Sequence, residues 1–186
     1  MIFPTAYLPP VSYLRAMKRT EEIRIDVCEH YVKQTLRNRC WIDSPQGALP
    51  LSIPVQKTEG KTALRDVRIS DHGNWRHQHW NALMSSYGQT PYFEFYADDL
   101  APFYEKRWTF LADFNEDLLR LVCQLMDLEL GWQRTISYCG ISDWASLADE
   151  PQRPYYQAFG MRHPFLPNLS CIDLLLNMGP ESVLYL

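Results

Sequence analysis

The stretch Tyr31-Val32-Lys33-Gln34-Thr35-Leu36-Arg37-Asn38-Arg39-Cys40-Trp41-Ile42 constrains the fold more than any other. It carries three cations, two amides and a threonine. In an extended segment, side chains turn alternately to two faces. Lys33, Thr35, Arg37 and Arg39 then share one face, and Leu36, Cys40 and Ile42 share the other with Asn38. One face packs into a core, and its reverse presents a fixed row of positive charge. The expectation is an anion site built on a strand; the competing reading is a solvated charged face, or ion pairs to Asp66 and Glu29.

The flanking residues supply the rest of a sheet. Met1 to Tyr7 reads as a first strand stopped by Pro9-Pro10. Val11, Leu14 and Met17 have helical spacing, and Ile23-Arg24-Ile25-Asp26-Val27 alternates as a strand does. Asp43 to Gly47 is a turn cluster. Leu49, Leu51, Ile53 and Val55 then alternate with Pro50, Ser52 and Pro54, which predicts an edge strand pairing back as an antiparallel hairpin. Gln56 to Thr62 reads as a polar loop, and Leu64 to Ile69 as a further strand.

Helices dominate the remainder of the chain. Asn74 is placed to cap a helix to about Tyr87, with Trp80, Leu83, Met84 and Tyr87 as its apolar stripe. A short helix is expected around Asp99 to Tyr104. The clearest helix runs from Phe114 to about Leu130, with Asp113 and Glu116 spaced as a capping box and Gly131 at its end. Arg134 to Cys139 reads as a late strand, Ser142 to Pro167 as a long connection, and Ile172 to Leu176 as a last helix ended by Gly179-Pro180. The expected architecture is α/β: a single mixed sheet of about five to six short strands with helices packed against it. With no repeat or linker, residues 1–186 read as one domain.

Composition narrows the function. A net charge of −4 argues against nucleic-acid binding driven by overall charge. The five cysteines are scattered without a C-x-x-C pair, so reduced thiols of a cytoplasmic protein are expected and a metal site is not. No run suggests a signal peptide or a membrane span. There is no P-loop, Gly-rich dinucleotide fingerprint, G-x-S-x-G elbow or H-E-x-x-H, and no cofactor is implied.

Several segments, in order along nearly the whole chain, resemble the WbqC-like protein family, and most closely its short Bacteroidetes-type branch. They are Ala6-Tyr7-Leu8-Pro9-Pro10-Val11-Ser12-Tyr13, Tyr31 to Thr35, Arg37-Asn38-Arg39, and Leu51-Ser52-Ile53-Pro54-Val55. Beyond these come Trp75 with Gln78-His79-Trp80, Pro91-Tyr92-Phe93 and Asp113-Phe114-Asn115, then Pro167 to Ser170, Asp173-Leu174-Leu175 and Asn177. The resemblance implies a role in bacterial surface-polysaccharide (O-antigen-type) biosynthesis, with aminoacyl, glycyl or related group transfer to an activated sugar.

The candidate binding residues are Lys33, Arg37, Asn38 and Arg39, because clustered cations take carboxylate or phosphate. Tyr7 joins them at the end of the first strand, where open α/β sheets bind ligands. Trp75 and His79, four apart on a helix, share a face. His79 is the candidate catalytic base, since imidazole titrates near neutrality. The expected partner is an anionic small molecule, an activated sugar or phosphate-bearing donor. Nucleic acid is not expected, and no sequence feature indicates an oligomeric state. The competing reading is a non-catalytic accessory protein that binds an anion or sugar nucleotide.

Overall fold

The computed structural model describes residues 1–58, 60–148 and 151–186. Glu59, in the polar loop Gln56 to Thr62, and Asp149 and Glu150, in the long connection, lie outside the described residues.

The architecture is α/β, but the strands form two small sheets rather than one of five to six strands. Strands β1 (Ile2–Pro4), β2 (Ile23–Asp26) and β5 (Trp132–Arg134) make a parallel sheet in the order β1-β2-β5. Phe3 pairs with Ile25, and Ile25 with Arg134. Helix α1 (Val11–Lys18) connects the first two strands, as parallel neighbours require. Strands β3 (Arg39–Ile42) and β4 (Leu49–Ser52) form the expected antiparallel hairpin, with Arg39 opposite Ser52 and Ile42 opposite Leu49.

Backbone hydrogen bonding accounts for the split. Residues 31–38 form turns: Asn38 and Arg39 both donate backbone N–H to Thr35 O, at 3.1 and 3.0 Å, and Gln34 takes a positive φ of 59°. The threonine and asparagine side chains compete with a strand ladder, Thr35 Oγ1 donating to Val32 O and Asn38 Oδ1 accepting from Gln34 N. Leu64–Asp66 is a 3-10 turn, and only single bridges join Val55 to Ile69 and Arg68 to Phe110. Pro50 and Pro54 lack the N–H that a third strand on the hairpin needs.

Further helices pack around this frame. In α2 (Trp75–Tyr87) the buried stripe is Trp75, His79, Leu83 and Tyr87, so the helix is rotated from the expected face and Met84 is exposed. Helix α3 (Phe93–Glu105) is longer than expected. Phe93, Leu100 and Tyr104 recur at helical spacing along its buried side, and Asp98 and Asp99 lie mid-helix on the exposed side. Helix α4 (Leu111–Leu125) starts three residues early, so Asp113 is inside the first turn and not its cap. Its carboxylate instead takes Arg134 Nη2 at 2.7 Å, and buried Glu116 takes Arg134 Nε at 2.6 Å, tying α4 to β5.

Helix α5 (Cys171–Met178) is capped by Ser170, whose Oγ accepts from Ile172 N. It ends at Gly179, where φ is 55°. A Cβ there would lie 2.4 Å from the Tyr92 ring. Gly179→Ala therefore combines a left-handed backbone with a steric overlap, and chemical denaturation should show a loss of about 2–4 kcal/mol.

Candidate functional site

The basic stretch does not present one row of charge. Because residues 31–38 turn, its four predicted binding residues part company. Lys33 is exposed at the turn. Arg37 folds inward and donates Nε to Glu29 Oε1 at 2.8 Å, with a second contact from Nη2 to Glu29 Oε2. Their side chains are only 13% and 7% exposed. Asn38 is buried and donates Nδ2 to Ile53 O at 3.0 Å, fixing the turn to the hairpin. Of the four, Arg39 opens onto a cleft.

That cleft has a volume of about 210 Å³. Gln34, Thr35, Arg39 and Trp41 form one side, and Asn168 and Ser170 the other. Among the described residues, Arg39 is the only charged one lining it. Its guanidinium is held by donation from Nε to Ser52 Oγ at 2.7 Å, directly across the hairpin. Trp41 is 45% exposed, since the alternation that buries Cys40 and Ile42 turns it outward. Ser170 N donates to Trp41 O at 2.8 Å, and Cys171 N to Pro9 O at 2.7 Å, so α5, β3 and the Pro9-Pro10 segment meet at this wall.

Tyr7, Trp75 and His79 come together behind the hairpin. Tyr7 Oη lies 2.9 Å from His79 Nδ1 and 3.1 Å from Tyr104 Oη, with the donor of each pair set by the His79 tautomer. Trp75 meets the imidazole edge to face, with ring centroids 5.1 Å apart. The nearby Ser52 backbone favours the charged ring, against the effect of burial. His79 is 5% exposed, and burial pushes it down to about 4, so it is neutral at physiological pH. Burial raises the Tyr7 phenol well above its usual range. Arg39 is thus tied to Ser52 at the cleft, and His79, Tyr7 and Tyr104 are linked in the core behind it. Cys40 lines the cleft but is buried, and burial pushes its thiol up.

A further polar cluster escaped sequence reasoning. Asp173 of α5 is fully buried and accepts from Tyr87 Oη at 2.8 Å, Tyr155 Oη at 2.5 Å and Gln157 Nε2 at 3.2 Å. Burial raises it to about 6, against the pull of those donors. Asp43, also buried, faces His163 Nε2 at 3.1 Å. Burial raises the Asp43 carboxyl, and the Pro164 carbonyl leads the groups that raise His163. The spacing of Asp173 and Asn177 on one helix face was the one available sign, and Asn177 Nδ2 does donate to Asp173 O at 2.7 Å. Among the described residues, no group of three or more His, Cys, Asp or Glu side chains is placed to hold a metal ion. No helix among them is long and apolar enough to cross a membrane.

Comparison with known proteins adds a family and a distant relative. Uncharacterized protein Rv1507c of Mycobacterium tuberculosis (strain ATCC 25618 / H37Rv) is 27% identical over 225 residues, covering 100% of this chain and 96% of the relative. No solved structure matches. Residues 5–146 match the WbqC-like protein family, a span that holds β2 to β5 with the Arg39 and His79 elements. The chain belongs to the WbqC-like protein family.

Proposed function

We propose that this chain, as a single domain, takes part in surface-polysaccharide (O-antigen-type) biosynthesis in the bacterial cytoplasm by holding the anionic end of an activated sugar in the Arg39 cleft. One observation carries the reading: among the described residues, the cleft contains a positioned guanidinium and no other charged lining group. Arginine offers a planar fork to phosphate, and nothing acidic on that lining opposes it. Trp41 gives an exposed ring for the sugar or base, while Gln34, Thr35 and Asn168 offer hydrogen bonds.

Group transfer to the activated sugar is a second reading, favoured by the nearness of His79 to Ser52, the residue that holds Arg39. In it a hydroxyl or amine of the sugar attacks the carbonyl of an acyl donor and gives its proton to His79. The bond to the donor's carrier breaks, and the carrier leaves with the electron pair and takes up that proton. Tyr7 and Trp75 fix the imidazole ring. The imidazole is neutral at pH 7, as a base must be, but it is buried with Nδ1 against Tyr7 Oη, so the ring has to be uncovered first. The simpler binding role needs no such movement.

Thermal unfolding with sugar nucleotides and inorganic phosphate tests the binding role. At a hundredfold excess over its dissociation constant, a ligand should stabilise the wild-type protein by about 2.7 kcal/mol. Arg39→Ala should retain its fold and lose that stabilisation, and added salt should weaken it. A wild-type protein that responds to none of these anions would sink the proposal.

A further inference from the structure

A second recess, of about 360 Å³, lies between the start of α2 and the end of α3. Its floor is aromatic. Trp80 and Tyr104 face each other with ring centroids 5.8 Å apart and planes inclined by 32°. Asn74, Arg76 and His77 make one rim and Glu105 the other.

Two of these rim groups are anchored. Arg76 donates Nη2 to Asp71 Oδ1 at 2.7 Å, and its guanidinium lies 5.4 Å from the centre of the Trp75 ring. His77 Nε2 and Asn81 Nδ2 are 2.9 Å apart, one turn along the helix. Glu105 is exposed. The half-buried Trp80 is packed on Phe93, 5.9 Å between ring centres, so its ring is a fixed platform.

The chemistry of this recess differs from that of the Arg39 cleft. A single cation lines the cleft, which suits an anion. Here the one lining cation, Arg76, already has Asp71 as its counter-ion, and Glu105 repels any further anion. Donors and acceptors are mixed: guanidinium donates, carboxylate accepts, and the amide and imidazole do both. A ligand that uses the whole set is neutral, carries several hydroxyls and has one apolar face for the indole. A pyranose ring has these properties, with its C–H groups on one face and its hydroxyls at the edge.

We infer that the α2–α3 groove is a neutral saccharide site, with Trp80 as platform and Arg76 and Glu105 orienting the hydroxyls. As a binding site it stands on the groove itself. In naming that sugar as an acceptor for the activated one, it rests on the function proposed above. Tyr104 joins the two regions, since its ring floors this groove and its hydroxyl reaches Tyr7 beside His79.

Saturation-transfer NMR on the whole chain, with methyl glycosides of glucose, galactose and N-acetylglucosamine as probes, reads this site. Ring C–H protons of at least one glycoside should receive saturation from the wild-type protein. Trp80→Ala and Glu105→Gln should each weaken binding by about fivefold or more, a loss near 1 kcal/mol. Arg39→Ala should leave it unchanged. Should Trp80→Ala fail to fold, Glu105→Gln decides, because an exposed position tolerates that change. No transfer to any glycoside, or transfer undiminished in the folded groove variants, overturns the inference. The inorganic-phosphate response of the same samples, which carries no sugar, reads the Arg39 cleft alone. Losing that response while saturation transfer persists removes the proposed function and leaves the saccharide site.

Discussion

Arg37→Ala is expected to lower stability by about 3–5 kcal/mol, the usual cost of stripping one partner from a buried ion pair. Glu29 is 5% exposed and would be left in the interior without the guanidinium that now contacts both carboxylate oxygens. Urea unfolding at neutral pH measures the loss. Replacing both partners, as in Glu29→Gln with Arg37→Met, should recover much of it, because no isolated charge then remains. Arg39, two residues away, should behave in the opposite way. Its guanidinium has one neutral partner, Ser52 Oγ, and borders an open cleft, so its removal should cost little stability while abolishing anion binding. A neutral Arg37→Ala phenotype would mean that the pair is not formed in solution.

These two arginines also show what could be read ahead of the structure. Local periodicity worked where burial enforces it. Ile23 to Asp26, Val11 to Lys18 and the Arg39–Ser52 hairpin lie where their apolar spacing put them. It failed at residues 31–38, where alternation was inferred from polar side chains that no core holds in register. The competing expectation for this row, ion pairs to Asp66 and Glu29, holds for Arg37, which Glu29 claims from eight residues earlier. The α3 helix was legible only in part, since Pro91 and Pro102 disguise a helix whose buried spacing is regular. Half of the cleft wall was out of reach for another reason. Asn168 and Ser170 arrive from the far end of the chain, through backbone bonds such as Ser170 N to Trp41 O that leave no local signature.

The largest pH effect should come from His79. Its folded value of about 4 lies well below the ordinary 6.5, so the native state favours the neutral ring. That contribution is fully present above pH 6.5 and is lost as pH falls through about 4, amounting to about 3 kcal/mol. Asp173 works in the other direction. Raised from 3.8 to about 6, its contribution is present below pH 3.8 and is lost as pH rises through about 6, again about 3 kcal/mol. Asp43 and His163 are raised as well and add to the Asp173 side. Wild-type stability should therefore change little between pH 4 and 6.5 where these groups oppose one another. Substitution separates them. His79→Gln should become more stable on acidification relative to wild type, and Asp173→Asn less stable. Unfolding free energies at half-unit pH steps give both slopes, and parallel curves for all three proteins would refute the assignment.

The prolines of the hairpin have a consequence for colloidal behaviour. A two-stranded ribbon normally offers its free edges to other chains, which is how aggregation by strand addition begins. With Pro50 within β4 and Pro54 just beyond it, one edge lacks the regular series of donors that an incoming strand needs. The same residues that keep the hairpin from joining a larger sheet make it a poor template for intermolecular pairing. The ribbon that carries Arg39 and Trp41 can thus stay exposed at high protein concentration and keep its cleft open to small molecules.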